Sequence, residues 1–281
     1  MTTPATDEWG AVRTIMRWRM RMIRNSIASD SGFLGVFLGG LLYLAIVVFV
    51  AIQARAGAMI SHELAGERRQ LSVILLGMHL FLVACVQAGA LYFFRISLQG
   101  DFRTARWRAL PVGRQTLRRA YLIDSFLNPG AIAALVATWL LVFGYARPGT
   151  AVAVIACVLV GPIFVYLSQS IFVLAADLLN RFRIAGSWLL FLMIAAAAVL
   201  VSGYVVRLAS GTIPGLIRDT MLSNATRILL RLPPWGVPLF VLQRLDAGQS
   251  AQSFAALIAA VAGASLLLVA ANRIAAATEL D

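Results

Sequence analysis

Six stretches of this chain run for more than twenty residues without a single Asp, Glu, Lys or Arg: 31–54, 70–94, 125–146, 148–176, 184–206 and 247–272. A helix of about 20 apolar residues crosses the hydrocarbon core of a bilayer. Inside lipid the backbone must satisfy its own hydrogen bonds, so helices and closed barrels are the structures that can span it. Barrel strands alternate polar and apolar positions, and these windows lack that alternation. The patterning therefore predicts an all-α membrane protein with six transmembrane helices, at about 32–54, 71–94, 126–145, 150–177, 185–206 and 252–272. Composition agrees, with 60% hydrophobic and 13% charged residues against about a quarter charged in a soluble domain. The whole chain, 1–281, reads as a single transmembrane domain.

All 24 basic residues are arginine and lysine is absent. A Walker A loop needs a lysine on the nucleotide phosphates, and Schiff-base chemistry needs one as nucleophile. The chain is thus expected to hold no ATP site of its own and no such enzymology. Cys85 and Cys157 both fall inside expected spans and read as small buried apolar residues. No metal site is suggested, since His62, Glu63 and Glu67 on a connector and a lone His79 in a span make a weak ligand set. The N-terminus is polar and acidic, unlike a cleavable signal peptide.

Before the first window, "RTIMRWRMRMIR" at 13–24 has helical periodicity. At 100° per residue, Arg13, Arg17, Arg21 and Arg24 fall within an arc of about 80°. Residues 1–30 are therefore expected to carry an amphipathic N-terminal helix lying in the headgroup region, its arginines turned to phosphate or to a partner. Between the second and third spans lies the densest basic segment, "RTARWRALPVGRQTLRRAYLID" at 103–124, with six arginines against Asp124. With the N-terminus inside, inner segments carry 15 arginines and outer ones 9, as the positive-inside rule favours. Both dense basic segments then share one face, the cytoplasmic one, and both termini lie on it.

Nucleic acid is a poor reading of the 95–124 connector, because it is clamped at both ends to membrane helices and carries no recognisable binding module. Anionic lipid accounts for part of its charge, at about 1 kcal/mol per arginine. Lipid does not explain "ALPVG" at 109–113, which reads as a break between two short helices. Phe102, Trp107, Leu110 and Val112 offer an apolar contact surface in a charged frame. Before the last span, the 207–250 connector contains "RLPPWGVPLFVLQRL" at 231–244. Its uncharged run is too short to cross a bilayer, and it can either dip into the bundle as a gate or lie on the outer surface. Ile213, Ile217, Met221, Ile228 and Leu232 recur at helical spacing within it.

This order of features resembles the membrane subunit of ABC transporters of the ABC-2 type, the type V exporter fold. In that family an N-terminal amphipathic helix precedes six spans. A coupling helix, often written around "lPv" and followed by a basic helix, lies between spans two and three. A long outer connector with partly re-entrant helices and an "LPP" element precedes the last span. Here the counterparts are "RALPVGRQTLRRAYLID" and "RLPPWGVPLFVLQRL". Val112-Gly113 depart from the small hydroxyl residue more usual there. The resemblance implies an ATP-driven exporter whose ATP-binding cassette subunit, with its ATP and Mg, is a separate chain. A second permease copy or a sister permease would complete it, in the cell (inner) membrane. It places the docking surface at Phe102, Arg106, Trp107, Arg108, Leu110, Pro111, Val112, Arg114 and Arg118, supported by Arg17 and Arg21 of the N-terminal helix.

Polar residues inside spans are the remaining candidates. Gln87 in the second span and Tyr166, Ser168 and Gln169 in the fourth could line a substrate pathway or tie helices together. No carboxylate sits in the middle of a span, which disfavours a proton-coupled secondary carrier. A carrier or channel, or a membrane scaffold with a basic docking face, is the alternative to the exporter. An intramembrane protease would need a serine beside His79 or two membrane aspartates, and neither pattern is present.

Overall fold

The computed structural model describes residues 8–27, positions 37, 41, 44 and 48, residues 76, 77, 79–85, 87 and 88, and then 113–127, 129–146, 149–181 and 231–278. The described residues are helical, with no strand among them. The elements are α1 (Glu8–Ile27), α2 (Arg114–Phe126), α3 (Pro129–Ala146), α4 (Ala151–Arg181), α5 (Gly236–Asp246) and α6 (Ser250–Thr278). The described residues 76, 77, 79–85, 87 and 88 are also helical. Three runs, Gln115–Ala146, Ala151–Leu178 and Ser250–Ala277, are long and apolar enough to cross a membrane. The chain is a membrane protein by that measure. The expected spans at 32–54 and 185–206, and most of that at 71–94, lie outside the described residues.

Local chemistry sets the helix ends. Pro129 opens α3, where its missing N–H costs nothing. Thr150 caps α4, its Oγ1 accepting the Ala153 N–H at 3.2 Å. Gly248 takes φ +71° after α5, a left-handed position that favours glycine. The turn there is closed by Gln249 N–H donating to the Arg244 carbonyl at 2.8 Å.

α3 and α4 form an antiparallel pair, with Trp139 beside Val158 and Leu135 beside Gly161. Pro162 lies inside α4, and its ring leaves the carbonyl four residues earlier without a donor. That carbonyl belongs to Val158, and the Trp139 indole N–H of α3 donates to it at 2.9 Å. Gly161 makes the approach possible, since a Cβ there would lie 2.4 Å from Trp139 Nε1. The sequence predicts a kink at Gly161-Pro162 with the freed carbonyl satisfied by neighbours or side chains, and Trp139 is the side chain that satisfies it. The helix itself continues through the proline for 31 residues.

α4 and α6 run parallel. Ile163, Leu167 and Ile171 pack with Ala260, Ala264 and Leu267, and further along Val173 and Leu174 meet Leu268 and Ala271. Two small-residue stripes are available on α6. The one at 260 and 264 is buried against α4, whereas Ala255 and Ala259 of the other are exposed. Small side chains at such seams let helix axes approach closely. The outward face of α6 stays apolar, with Ile258 71% and Leu266 70% exposed, as expected of a helix bathed in lipid.

α5 folds back antiparallel on α6. Ser253 Oγ donates to the Val241 carbonyl at 3.1 Å, and Val237 reaches the Leu167–Ala260–Ala264 cluster. Pro238, Leu239, Val241 and Leu242 are buried, so this part of the 207–250 connector is packed into the bundle. The remainder of that connector, with Ile213, Ile217, Met221 and Ile228, lies outside the described residues.

Candidate functional site

One end of the bundle gathers the basic elements. α1 packs on α2, with Val12 and Ile15 buried against Ala120, Tyr121, Val173 and Ala271. The periodicity of α1 explains the packing. Val12 and Ile15 lie on one side, and Arg13, Arg17 and Arg21 on the other, where all three are exposed. From sequence, Ile15, Trp18, Met20, Met22 and Ile23 occupy much of the helix outside the arginine arc, interrupted by Arg19. In the structure Ile15 is buried, while Trp18 and Met20 are exposed at the edges of the arginine arc, as is Trp9. Protein rather than lipid thus covers the centre of the apolar face.

Arg118 of α2 is turned inward. Its guanidinium forms a bidentate pair with Asp177 of α4, through Nη2 to Oδ2 and through Nη1 to Oδ1 at 3.4 Å. Nε donates to Asn272 Oδ1 of α6 at 2.9 Å. The Tyr121 ring lies 5.1 Å below the guanidinium. Asp177 is 0% exposed and Arg118 19%. One side chain therefore ties three helices together, using the planar fork that suits arginine to a carboxylate. This employs Arg118 differently from the outward docking role expected of it, for a plain reason. On α2, Arg118 lies between Leu117 and Tyr121, which pack into the core, and Asp177 is the acidic group within reach.

Phe102, Arg106, Trp107, Arg108, Leu110, Pro111 and Val112 lie outside the described residues. Arg114 is the first residue of α2. α2 begins without a side-chain cap, from Gly113, and has no acidic residue in its first turn. Its placement depends on packing and on the Arg118 fork.

Deeper in the bundle, three of the four candidate pathway residues, Gln87, Ser168 and Gln169, take part in buried hydrogen bonds. Ser168 Oγ donates to Gln87 Oε1 at 2.7 Å. Gln87 Nε2 donates to Gln169 Oε1 at 2.8 Å. Gln169 Nε2 donates to the Ser125 carbonyl at 2.7 Å. Gln87, Ser168 and Gln169 are all 0% exposed. The donors point the same way along the chain of bonds, so each polarises the next. Tyr166 is half-buried, with its hydroxyl 3.2 Å from Ser265 Oγ of α6 and its ring 5.5 Å from that of Phe126. Each of these contacts joins one helix to another. Of the two roles open to them from sequence, the geometry matches the tie.

Cys85 and Cys157 are buried and free, and His79 is buried. Among the described residues no cluster of His, Cys, Asp or Glu could hold a metal ion. Asn272 and Ser265 are the participants that sequence reasoning missed. Ser265 is a single polar residue in an apolar run, and Asn272 stands beside Arg273 at the end of one, where neither is marked as a partner for Arg118 or Tyr166. Asp177 carried a signal, since Asp124 and Asp177 are the acidic residues near the inner ends of the expected spans. No family model, curated protein or solved structure matches the chain.

Proposed function

We propose that the chain is the membrane-spanning permease subunit of an ATP-driven exporter of the ABC-2 type, working with a separate ATP-binding cassette subunit. The observation that carries the reading is the meeting of α1 and α2 at one end of the bundle, with Arg13, Arg17 and Arg21 exposed there. In this reading that end is cytoplasmic. The 95–113 segment entering α2 presents Phe102, Arg106, Trp107, Arg108, Leu110, Pro111 and Val112 to the ATPase, and Arg17 and Arg21 flank the contact or meet anionic headgroups. ATP and Mg stay on the partner, because this chain has no lysine for a phosphate loop.

Two further features support the layout. α4 and α6 run parallel, so the chain between 181 and 250 must return across the bundle, and the charge-free window 184–206 is the segment we assign to that return. α5 packs antiparallel on α6 with 11 residues, about 16 Å at 1.5 Å per residue. That is about half a hydrocarbon core, which suits a re-entrant helix at the outer end and favours a gate over a lid. Two permease units, identical or sister chains, would enclose the export path.

The test is ATP hydrolysis by the complex purified through the full-length chain. Replacing Trp107 and Arg108 together with alanine is expected to abolish hydrolysis stimulated by the membrane subunit, with α-helical content unchanged. Wild-type rates in W107A/R108A would overturn the docking assignment. Failure of any ATPase to co-purify would favour a secondary carrier, a channel or a scaffold.

A further inference from the structure

We infer that Arg118, Asp177 and Asn272 form a latch that holds one end of the bundle shut and joins the segment before α2 to the ends of α4 and α6. The inference rests on the exporter reading for what drives the latch, but the latch itself is a property of this chain alone.

Three observations carry it. First, the three residues come from three helices that touch the same guanidinium, so moving α2 must either drag α4 and α6 or break the contacts. Second, α2 has no local cap to hold its start, and Arg118 is only its fifth residue. A pull on the chain before Gly113 therefore reaches the fork within about 6–8 Å. Third, the pair is poised between two environments. Asp177 is fully buried, whereas Arg118 keeps 19% of its side chain exposed. A buried carboxylate is tolerable when paired. When the pair separates, both charges need water, and the partly open side of Arg118 is where water can enter. A closed, paired state and an open, hydrated state are thus both reachable. Two discrete arrangements are what a switching element requires.

The neutral network at Gln87 and Gln169 does not share this property. It is fully enclosed, and its groups carry no charge that hydration would rescue. The inference assigns movement to the charged end and rigidity to the neutral middle.

The experiment uses full-length protein in proteoliposomes, with C85A and C157A removing the native thiols. One reporter cysteine replaces Leu174, which packs beside the latch, and in a separate chain another replaces Leu257, buried nearer the α5–α6 turn. Labelling by a membrane-impermeant maleimide from the latch side is read as a rate. In the latched background both reporters are expected to be protected. R118Q, D177N or N272A is expected to raise labelling at position 174 at least ten-fold for the two charge variants and less for N272A, with position 257 unchanged. Unchanged labelling at 174 in R118Q and D177N would overturn the latch. Equal rises at 174 and 257 would also overturn it, because they would indicate loosening of the whole bundle. No ATPase is needed, so failure of the exporter reading leaves this result intact. In a complex that does hydrolyse ATP, D177N and N272A are expected to keep hydrolysis while losing its dependence on the transported substrate.

Discussion

The two polar assemblies of this protein solve the same problem with opposite means. Near the α2 end, a full ion pair is held by Arg118 and Asp177, with Asn272 completing the fork. In the middle of the bundle, Gln87, Ser168 and Gln169 link helices through neutral groups alone. The position of each follows from the cost of desolvation. Taking a charge out of water costs several kcal/mol per ion even after relaxation, so the pair sits where Arg118 retains some exposure. A neutral amide can be enclosed completely if each of its groups finds a partner. The contrast teaches where each region can yield, since a charged contact near water can open and a neutral one in the interior is held by having no alternative.

Removing half of the pair should have the largest effect. Asp177→Leu leaves the Arg118 guanidinium facing an apolar gap, at an expected cost of about 3–5 kcal/mol, read as a fall in melting temperature of the detergent-solubilised protein. Combining it with Arg118→Leu is expected to recover a large part of that loss. A double variant no better than the single would show that the charges are not coupled. Next comes the seam between α3 and α4. Gly161→Val drives a side chain into the Trp139 indole and should cost about 1–3 kcal/mol by overpacking, with a change in the tryptophan fluorescence that Trp139→Phe abolishes.

The neutral network should yield less. Gln169→Leu removes the 2.8 Å bond from Gln87 Nε2, which keeps only its 3.5 Å contact to the Val165 carbonyl, and the bond to the Ser125 carbonyl, at about 1–2 kcal/mol. A loss as large as that of Asp177→Leu would erase the proposed difference between the two regions. Smallest of all is the α1 stripe. Replacing Arg17 and Arg21 with glutamine should leave melting unchanged, as both are exposed, yet weaken binding to vesicles containing anionic phospholipid. The buried thiols give a further check. Cys85 and Cys157 should resist maleimide in the folded protein and react once it is unfolded.

Much of this architecture is legible without coordinates. The charge-free windows placed α3, α4 and α6 within a few residues, with α4 and α6 running beyond their expected ends toward Arg181 and Arg273. A proline inside a span predicted a stranded carbonyl in need of a donor. Each of these depends on residues close together in the chain, and local periodicity and backbone chemistry are written there.

What the sequence alone determined is therefore the medium and the elements, because lipid imposes a length and an absence of charge that any reader can count. Only the tertiary structure decided which groups meet. Arg118 and Asp177 are 59 residues apart, and Arg118 and Asn272 are 154 apart. Nothing local distinguishes an arginine that faces a partner from one that grips a neighbouring helix. Likewise, both stripes of small residues on α6 were available, and packing against α4 selected one. Such choices depend on how rigid helices fit together in space, and the order of residues along one helix does not contain that fit.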